Sequence, residues 1–418
     1  MELQEISASQ IPSGVHTVAA ELRAAGFRAW VVGGCVRDLL RGAQVADWDL
    51  CTTALPAEVM RVFPRVLPTG IQHGTVTVML EGEGYEVTTL RGEGAYSDGR
   101  RPDAVHFVSS IEEDLARRDF TVNAIALDPV SLEIADPWGG VADLRAGILR
   151  AVGVPGERFA EDGLRVLRAA RFAAMLGSEL EEETLAAISQ NLDTFRKVSA
   201  ERVRDEWQKA IERSESPSVA FRLMRQTGIL MVVAPLLARY SSRQFASAMY
   251  HLDHAPRDFV MGMAAMLLVS EEPAPEIDLW LRELRVSNSD RERITHLAIE
   301  VRSSPTQVEM QEWSGAQFRE WARRVRRPHL EAACALLAAR EPNSLVPILE
   351  RRNVALTNAA LEVRELAITG NDLVAHLNIA PSRALGELLN RLLTAVIEEP
   401  GRNQREWLLS HARALHNL

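Results

Sequence analysis

The stretch of residues 29–50, AWVVGGCVRDLLRGAQVADWDL, constrains this chain most. Ala29-Trp30-Val31-Val32 reads as a short buried strand, and Gly33-Gly34 lets the backbone come close to whatever sits above it. A helix carrying Arg37 and Asp38 follows, and its amide end favours an anion such as a triphosphate. Asp47 and Asp49 are two residues apart, so in a strand both carboxylates leave from one face. The segment therefore sets a pair of hard oxygen ligands beside a phosphate cradle.

Such a pair suits Mg²⁺, which takes one or two carboxylates and completes its shell with water and substrate phosphates. Two ions held there can activate an attacking hydroxyl and neutralise a leaving pyrophosphate. Taken singly, a Gly-Gly is commonly a turn and an Asp-x-Asp a solvated loop or cap. Their coincidence in one short segment points to chemistry.

At 418 residues, 47% hydrophobic and 25% charged, the chain has the make-up of a soluble protein of two to four domains. Its longest apolar runs, residues 228–238 and 259–269, are too short to cross a bilayer, and the first residues lack a basic, apolar leader, so a cytoplasmic location with no membrane partner is expected. Cys35, Cys51 and Cys334 show no CxxC spacing, which argues against a disulfide framework or a thiolate metal site.

Net charge is -10, but unevenly spread: residues 1–150 hold 13 Arg against 21 acidic residues, whereas residues 301–330 hold 6 Arg against 3 Glu. Only Lys197 and Lys209 are lysines among the 47 basic residues. No Gly-Lys-Ser/Thr exists, which excludes P-loop chemistry, and arginine must carry any phosphate recognition.

Downstream, residues 73–80 and 85–90 alternate as two strands of a β-hairpin. Glu86 on the second strand either brings a third carboxylate towards Asp47 and Asp49 or faces solvent. Residues 92–102, GEGAYSDGRRP, form a polar, glycine-rich loop with a doubled arginine, Arg100-Arg101. Glu112, Glu113 and Asp114 open a helix that leads to Arg117-Arg118-Asp119. In FAEDGLRVLRAARF, residues 159–172, the spacing puts Glu161, Asp162, Arg165, Arg168 and Arg171 on one helical face. That pattern is either a solvated face of Glu-Arg pairs or an acceptor and donors that read the edge of a base without a template.

VVGGCVRD with DWD, DGRRPDAVHF, ARRDFTVNAIA, EDGLRVLRAARF and SAERVRDEWQK occur in the order and spacing of class II tRNA nucleotidyltransferases. These five motifs, and ITGNDLVAHLNIAPSRALGELLNRLL near the carboxyl terminus, resemble that family over nearly the whole chain. The match is weaker between Ser216 and Ala367. Bacterial poly(A) polymerases look much the same, and the catalytic core resembles the DNA polymerase beta superfamily.

The resemblance implies that Asp47 and Asp49 hold Mg²⁺, that Gly34, Arg37 and Arg118 lie on the nucleotide, and that Asp162 and Arg165 meet the base edge with Glu161 orienting Arg165. It places Arg168 and Arg171 on phosphate or ribose and Asp119 and Asn123 at the ribose pocket, with Gly33 and Asp38 in support. The implied reaction adds CMP and AMP from CTP and ATP to the 3′ end of tRNA and releases pyrophosphate. An enzyme adding only the terminal A, a poly(A) polymerase, an antibiotic-modifying nucleotidyltransferase and a catalytically silent RNA-binding module are the alternatives.

The expected fold class is α+β: a mixed-sheet catalytic head at residues 1–147, then an all-helical neck at 148–215, body at 216–340 and tRNA-binding tail at 341–418. Arg319, Arg323, Arg324, Arg326 and Arg327 follow helical spacing near Trp313 and Trp321, and Arg323, Arg324 and Arg327 are candidate RNA contacts. His251, Asp253 and His254 invite a metal-dependent phosphohydrolase reading. The segment at residues 263–269 lacks the adjacent His-Asp pair such a site requires, so the histidines are expected to be structural.

Overall fold

Ala29-Trp30-Val31-Val32 forms strand β1 (Ala29–Val32), with all four side chains buried. In the computed structural model, which describes residues 3–45, 47–92, 106–341, 352–353, 356–357 and 359–416, β1 is an inner strand of a seven-stranded mixed sheet. The other strands are β2 (Asp49–Thr52), β3 (Val66–Gly70), β4 (Thr75–Leu80), β5 (Glu83–Thr89), β6 (Ala126–Leu127) and β7 (Ile134–Ala135), in the order β3-β4-β5-β2-β1-β6-β7. β2 and β5 run parallel, and the remaining pairs are antiparallel. The hairpin expected from residues 73–90 is β4 and β5, joined at Glu81-Gly82. Trp30, Val32 and Cys51 join Leu90, Ile111 and Leu115 in one apolar cluster, which pins the helix Ile111–Ala116 against the sheet.

A small parallel pair, β8 (Ile148–Leu149) with β9 (Glu179–Leu180), follows the head; among the described residues no strand comes after it. The helix Leu164–Leu176 packs against Ala200–Arg213 and Ser218–Gln226. One expectation is corrected here. Residues 159–172 do not form a single helix: Pro155–Glu161 and Leu164–Leu176 are separated by Asp162, which is extended at φ -141°, and Gly163. The Asp162 carboxylate accepts a hydrogen bond from Leu164 N at 3.0 Å, and a Cβ on Gly163 would lie 2.7 Å from Thr194 O, so only glycine lets this corner pack so closely.

The chain divides into two units, Met1–Ala238 and Arg239–Leu418. The described part of the second is helical from Ser242–His254 to Arg405–His416, and Ser241, Asp258, Ser287, Thr306, Ser314 and Thr369 cap its helix starts through their side chains. Helix Phe259–Leu267 is buried on every side, which accounts for its unbroken apolar run. Helix Arg383–Glu398 buries Leu385, Leu388, Leu392 and Val396 in a cluster with Leu373 and Leu408. Among the described residues no helix is long and apolar enough to cross a membrane.

Two readings of the second unit change or sharpen. The arginine run does not keep helical spacing: helix Gly315–Val325 ends before Arg326, whose φ is 67°, and Arg319 is buried with its Nε donating to Ile397 O at 2.6 Å. His251 is also buried, its Nδ1 has no hydrogen-bond partner among the described residues, and burial pushes its pKa down to about 4. His254 sets its Nδ1 2.8 Å from Tyr250 O.

Candidate active site

In the first unit a cavity of about 1020 Å³ opens between the end of β1, the first residues of β2, Glu86 and Thr88 of β5, the segment from Asp114 to Asn123, and helices Leu164–Leu176 and Ala200–Arg213. Ten of its lining residues are basic and six acidic, the reverse of the chain's overall balance. Such a basic, walled site concentrates anions.

Gly33 forms the corner between β1 and the helix Gly34–Leu40, at φ 79° and ψ -128°, outside the regions open to other residues. A Cβ there would lie 2.6 Å from Arg118 Nη1. Arg118 also pairs with the fully buried Asp114 at 3.3 Å, and its own Nε is buried without a hydrogen-bond partner among the described residues. Arg37 donates to Asn123 Oδ1 at 2.5 Å and to both oxygens of Asp38 at 2.9 Å. Both cations are thus held in place from behind.

Asp49 opens β2 and stands in register with Glu86 on the parallel strand β5, so these carboxylates leave the same face and both line the cavity. Asp47 lies before the strand and is not among the residues lining the cavity, so the shared-strand argument holds for Asp49 alone; both residues are exposed. Desolvation raises the Asp49 pKa, Arg118 opposes this, and the charge of Asp47 raises it further. Two neighbouring carboxylates under like-charge strain are a donor set that a divalent cation relieves, and they fit a hard metal. Among the described residues no group of three or more His, Cys, Asp or Glu is placed to hold a metal.

Across the cavity, Arg165 Nη1 donates to Glu161 Oε2 at 2.6 Å and to Arg158 O at 2.9 Å, and Nη2 donates to Arg117 O at 3.0 Å. Arg165 is thus held by Glu161 and by two backbone carbonyls. Asp162 accepts from Arg202 Nη2 at 2.7 Å. Deeper, Asp119 accepts from Asn123 Nδ2 at 3.0 Å and from Arg168 Nε at 2.7 Å; burial raises its pKa but Arg168 wins, and it falls to about 2. Arg171 pairs with the buried Glu206 at 2.5 Å. The Phe172 ring lies under the guanidiniums of Arg171, Arg168 and Arg37 at 3.9, 5.1 and 5.3 Å.

The cavity thus brings together Gly33, Gly34, Arg37, Asp38, Asp49, Glu86, Arg118, Asp119, Asn123, Asp162, Arg165, Arg168 and Arg171. Sequence reasoning missed Asp114, Phe172, Arg202 and Glu206. The signal for the last two was their four-residue spacing in SAERVRDEWQK. Arg323 and Arg327, in the second unit, are engaged by Asn390 and Glu365; Arg324 is exposed and has no ion pair among the described residues. Residues 93–102 of the glycine-rich loop, with Arg100-Arg101, lie outside the described residues.

Residues 29–150 match the family model "Poly A polymerase head domain", residues 177–241 match "Probable RNA and SrmB- binding site of polymerase A", and residues 262–412 match a model for tRNA nucleotidyltransferase domain 2. The CCA-adding enzyme of Lactobacillus delbrueckii is 36% identical over 94% of this chain and 96% of its own, and that of Geobacillus kaustophilus is 35% identical over 95% and 96%. Among solved structures, the Bacillus stearothermophilus CCA-adding enzyme in complex with CTP aligns at TM-score 0.79 and 29% identity, covering 96% of this chain and 98% of the other. The Thermotoga maritima CCA-adding enzyme complexed with tRNA shares the fold at TM-score 0.69 and 20% identity over 99% of both chains.

Proposed function

This chain belongs to the bacterial CCA-adding tRNA nucleotidyltransferases, and on that premise we propose that the basic cavity of its first unit adds CMP and then AMP, from CTP and ATP, to the 3′ end of tRNA. The observation that carries the reading is the fixed pair at the cavity's helical corner. Asp162 offers only acceptors, and Arg165, clamped by Glu161 and two carbonyls, offers only donors. Cytosine and adenine each present an amino donor beside a ring-nitrogen acceptor, which matches this pair. Uracil and guanine present a carbonyl acceptor beside an N–H donor, which reverses it. One rigid corner therefore accepts two bases and rejects two without a template.

Arg37 and Arg118 meet the triphosphate at the glycine corner, where the unpaired Arg118 Nε is a donor that a phosphate oxygen satisfies. Arg168 and Arg171 extend this basic lining towards phosphate or ribose, and Asp119 with Asn123 shapes the ribose side. The RNA 3′ hydroxyl attacks the α-phosphorus in line and pyrophosphate leaves. Asp47 and Asp49 would hold Mg²⁺, which when bound offsets the charge developing on the phosphates and makes the hydroxyl easier to deprotonate. Glu86 stands beside Asp49 as a further oxygen donor.

The reading keeps the head at 1–147, neck at 148–215, body at 216–340 and tail at 341–418, with Arg323, Arg324 and Arg327 as RNA contacts and the cytoplasm as the site of action. The test uses tRNA transcripts ending before CCA, after C and after CC, with CTP, ATP or both, and Asp47→Ala as control. Completion of all three to CCA, followed by a stop, supports full addition. Extension of the CC-ended transcript alone reduces the activity to A addition, continued A addition marks a poly(A) polymerase, and no extension removes the proposal.

A further inference from the structure

The cavity wall built by helix Ala200–Arg213 reaches further than a nucleotide requires. Arg202, Glu206, Lys209 and Arg213 recur at spacings of four, three and four, so they share one helical face, and Arg202, Lys209 and Arg213 line the cavity. Arg202 grips the base-reading Asp162 at 2.7 Å. Arg213 stands about 16 Å further along the helix axis. Between them, Glu206 is committed to Arg171 at 2.5 Å and leaves its second oxygen 3.6 Å from Lys209 Nζ. Lys209 is nonetheless 44% exposed, and Arg213 is exposed with no ion pair among the described residues.

Volume and residue type point the same way. The cavity, at about 1020 Å³, lies at the top of the roughly 300–1,000 Å³ usual for small-molecule sites, which leaves room beyond one nucleoside triphosphate. Lys209 is one of two lysines in a chain of 47 basic residues, and its compact ammonium serves as a point charge for phosphate oxygens rather than as a planar fork.

We propose that Lys209 and Arg213 form a phosphate subsite for the sugar-phosphate backbone of the RNA strand whose 3′ hydroxyl reacts, an inference that rests on the function proposed above. The two cations are one helical turn, about 6 Å, apart and lie beyond the base reader. The incoming nucleotide thus occupies the cavity between Gly33 and Asp162, and the strand enters along the Lys209–Arg213 wall. The departing pyrophosphate carries the same chemistry and is the other source of phosphate that the wall could hold.

The experiment compares the full-length protein with the double variant Lys209→Gln/Arg213→Gln and with the charge-keeping swap Lys209→Arg/Arg213→Lys. Affinity for a labelled tRNA transcript ending in CC is read by fluorescence anisotropy across a salt series, without nucleotide or metal. The glutamine variant should bind roughly tenfold more weakly, with a salt slope shallower by about 1–2, and the swap should bind like the parent. Its KM for ATP and its inhibition by pyrophosphate should stay unchanged. Unaltered RNA affinity and salt slope would overturn the proposal, and so would weakened pyrophosphate inhibition with intact RNA binding. Equal loss in the swap would show that shape rather than charge matters, and would overturn it too. Extension of the same transcript by the parent protein is run in parallel, because its absence removes the functional reading and not the subsite alone.

Discussion

Gly33 and Arg118 are built around each other: the glycine has no side chain at the point where the guanidinium Nη1 would stand 2.6 Å from a Cβ, and its φ of 79° is one that L side chains rarely adopt. Gly33→Ala should therefore displace Arg118 and strain the corner, at about 1–3 kcal/mol. The expected outcome is a KM for CTP and ATP raised about tenfold or more with the protein still folded. Steady-state kinetics and a thermal melt check it, and an unchanged KM would contradict the placement of Arg118 on the nucleotide.

Asp49 sets function against stability. Its pKa is raised by desolvation and by Asp47, so its carboxylate is harder to ionise in the folded protein than in the unfolded chain. The contribution of this group is present below its ordinary pKa and is lost as pH rises through its folded value. Asp49→Asn should abolish nucleotide addition and yet raise the melting temperature at pH 7 in metal-free buffer. A divalent cation should raise the melting temperature of the parent protein more than that of the variant. Equal responses would remove Asp49 from the metal site.

Much of this site was legible because its chemistry sits in short segments. The strand, glycine pair and helix of residues 29–40 were readable from local pattern, and so were the hairpin and the change from sheet to helices. The kink at Asp162 was not, because its cause is the approach of Thr194, over thirty residues away, to Gly163. Asp47 lay outside its strand for a similar reason: spacing of two shows a shared face only where pairing reaches both residues, and the pairing of β2 begins at Asp49. Phe172 looked like one more apolar helix residue, and only folding brings Arg37 from the head over its ring. The arginines from 319 to 327 read as one helical face, whereas the helix ends before Arg326 and Arg319 turns inward to the Ile397 carbonyl.

Asp119 should matter as a charge. It is buried against Arg168, so Asp119→Ala leaves that cation with only the longer contact to Glu206 at 3.9 Å and should cost about 3–5 kcal/mol. With its pKa lowered to about 2, its contribution is present above about pH 4 and lost as pH falls towards 2. Urea unfolding of the parent and the variant at several pH values measures this. A variant as stable as the parent at pH 7 would refute the assignment.

His251 gives the second unit a different acid response. Its pKa is depressed to about 4, so the folded state holds the neutral ring and the unfolded state takes up the proton. Its contribution is whole above about pH 6.5 and lost as pH falls from there to about 4, by no more than about 3 kcal/mol. His251→Leu should flatten the stability profile in that window without altering metal dependence. A variant with the parent's pH profile would show that the histidine is not buried neutral.

The most direct measurement is base choice in Arg165→Ala, with kcat/KM compared for CTP, UTP, ATP and GTP on transcripts ending before CCA and after CC. The corner formed by Asp162 and Arg165 predicts that the variant still transfers nucleotides, slowly, and that its preference for C over U and A over G falls by about 1–3 kcal/mol, roughly five- to 150-fold. A variant that keeps the parent's strict choice of C and then A would show that the bases are read elsewhere.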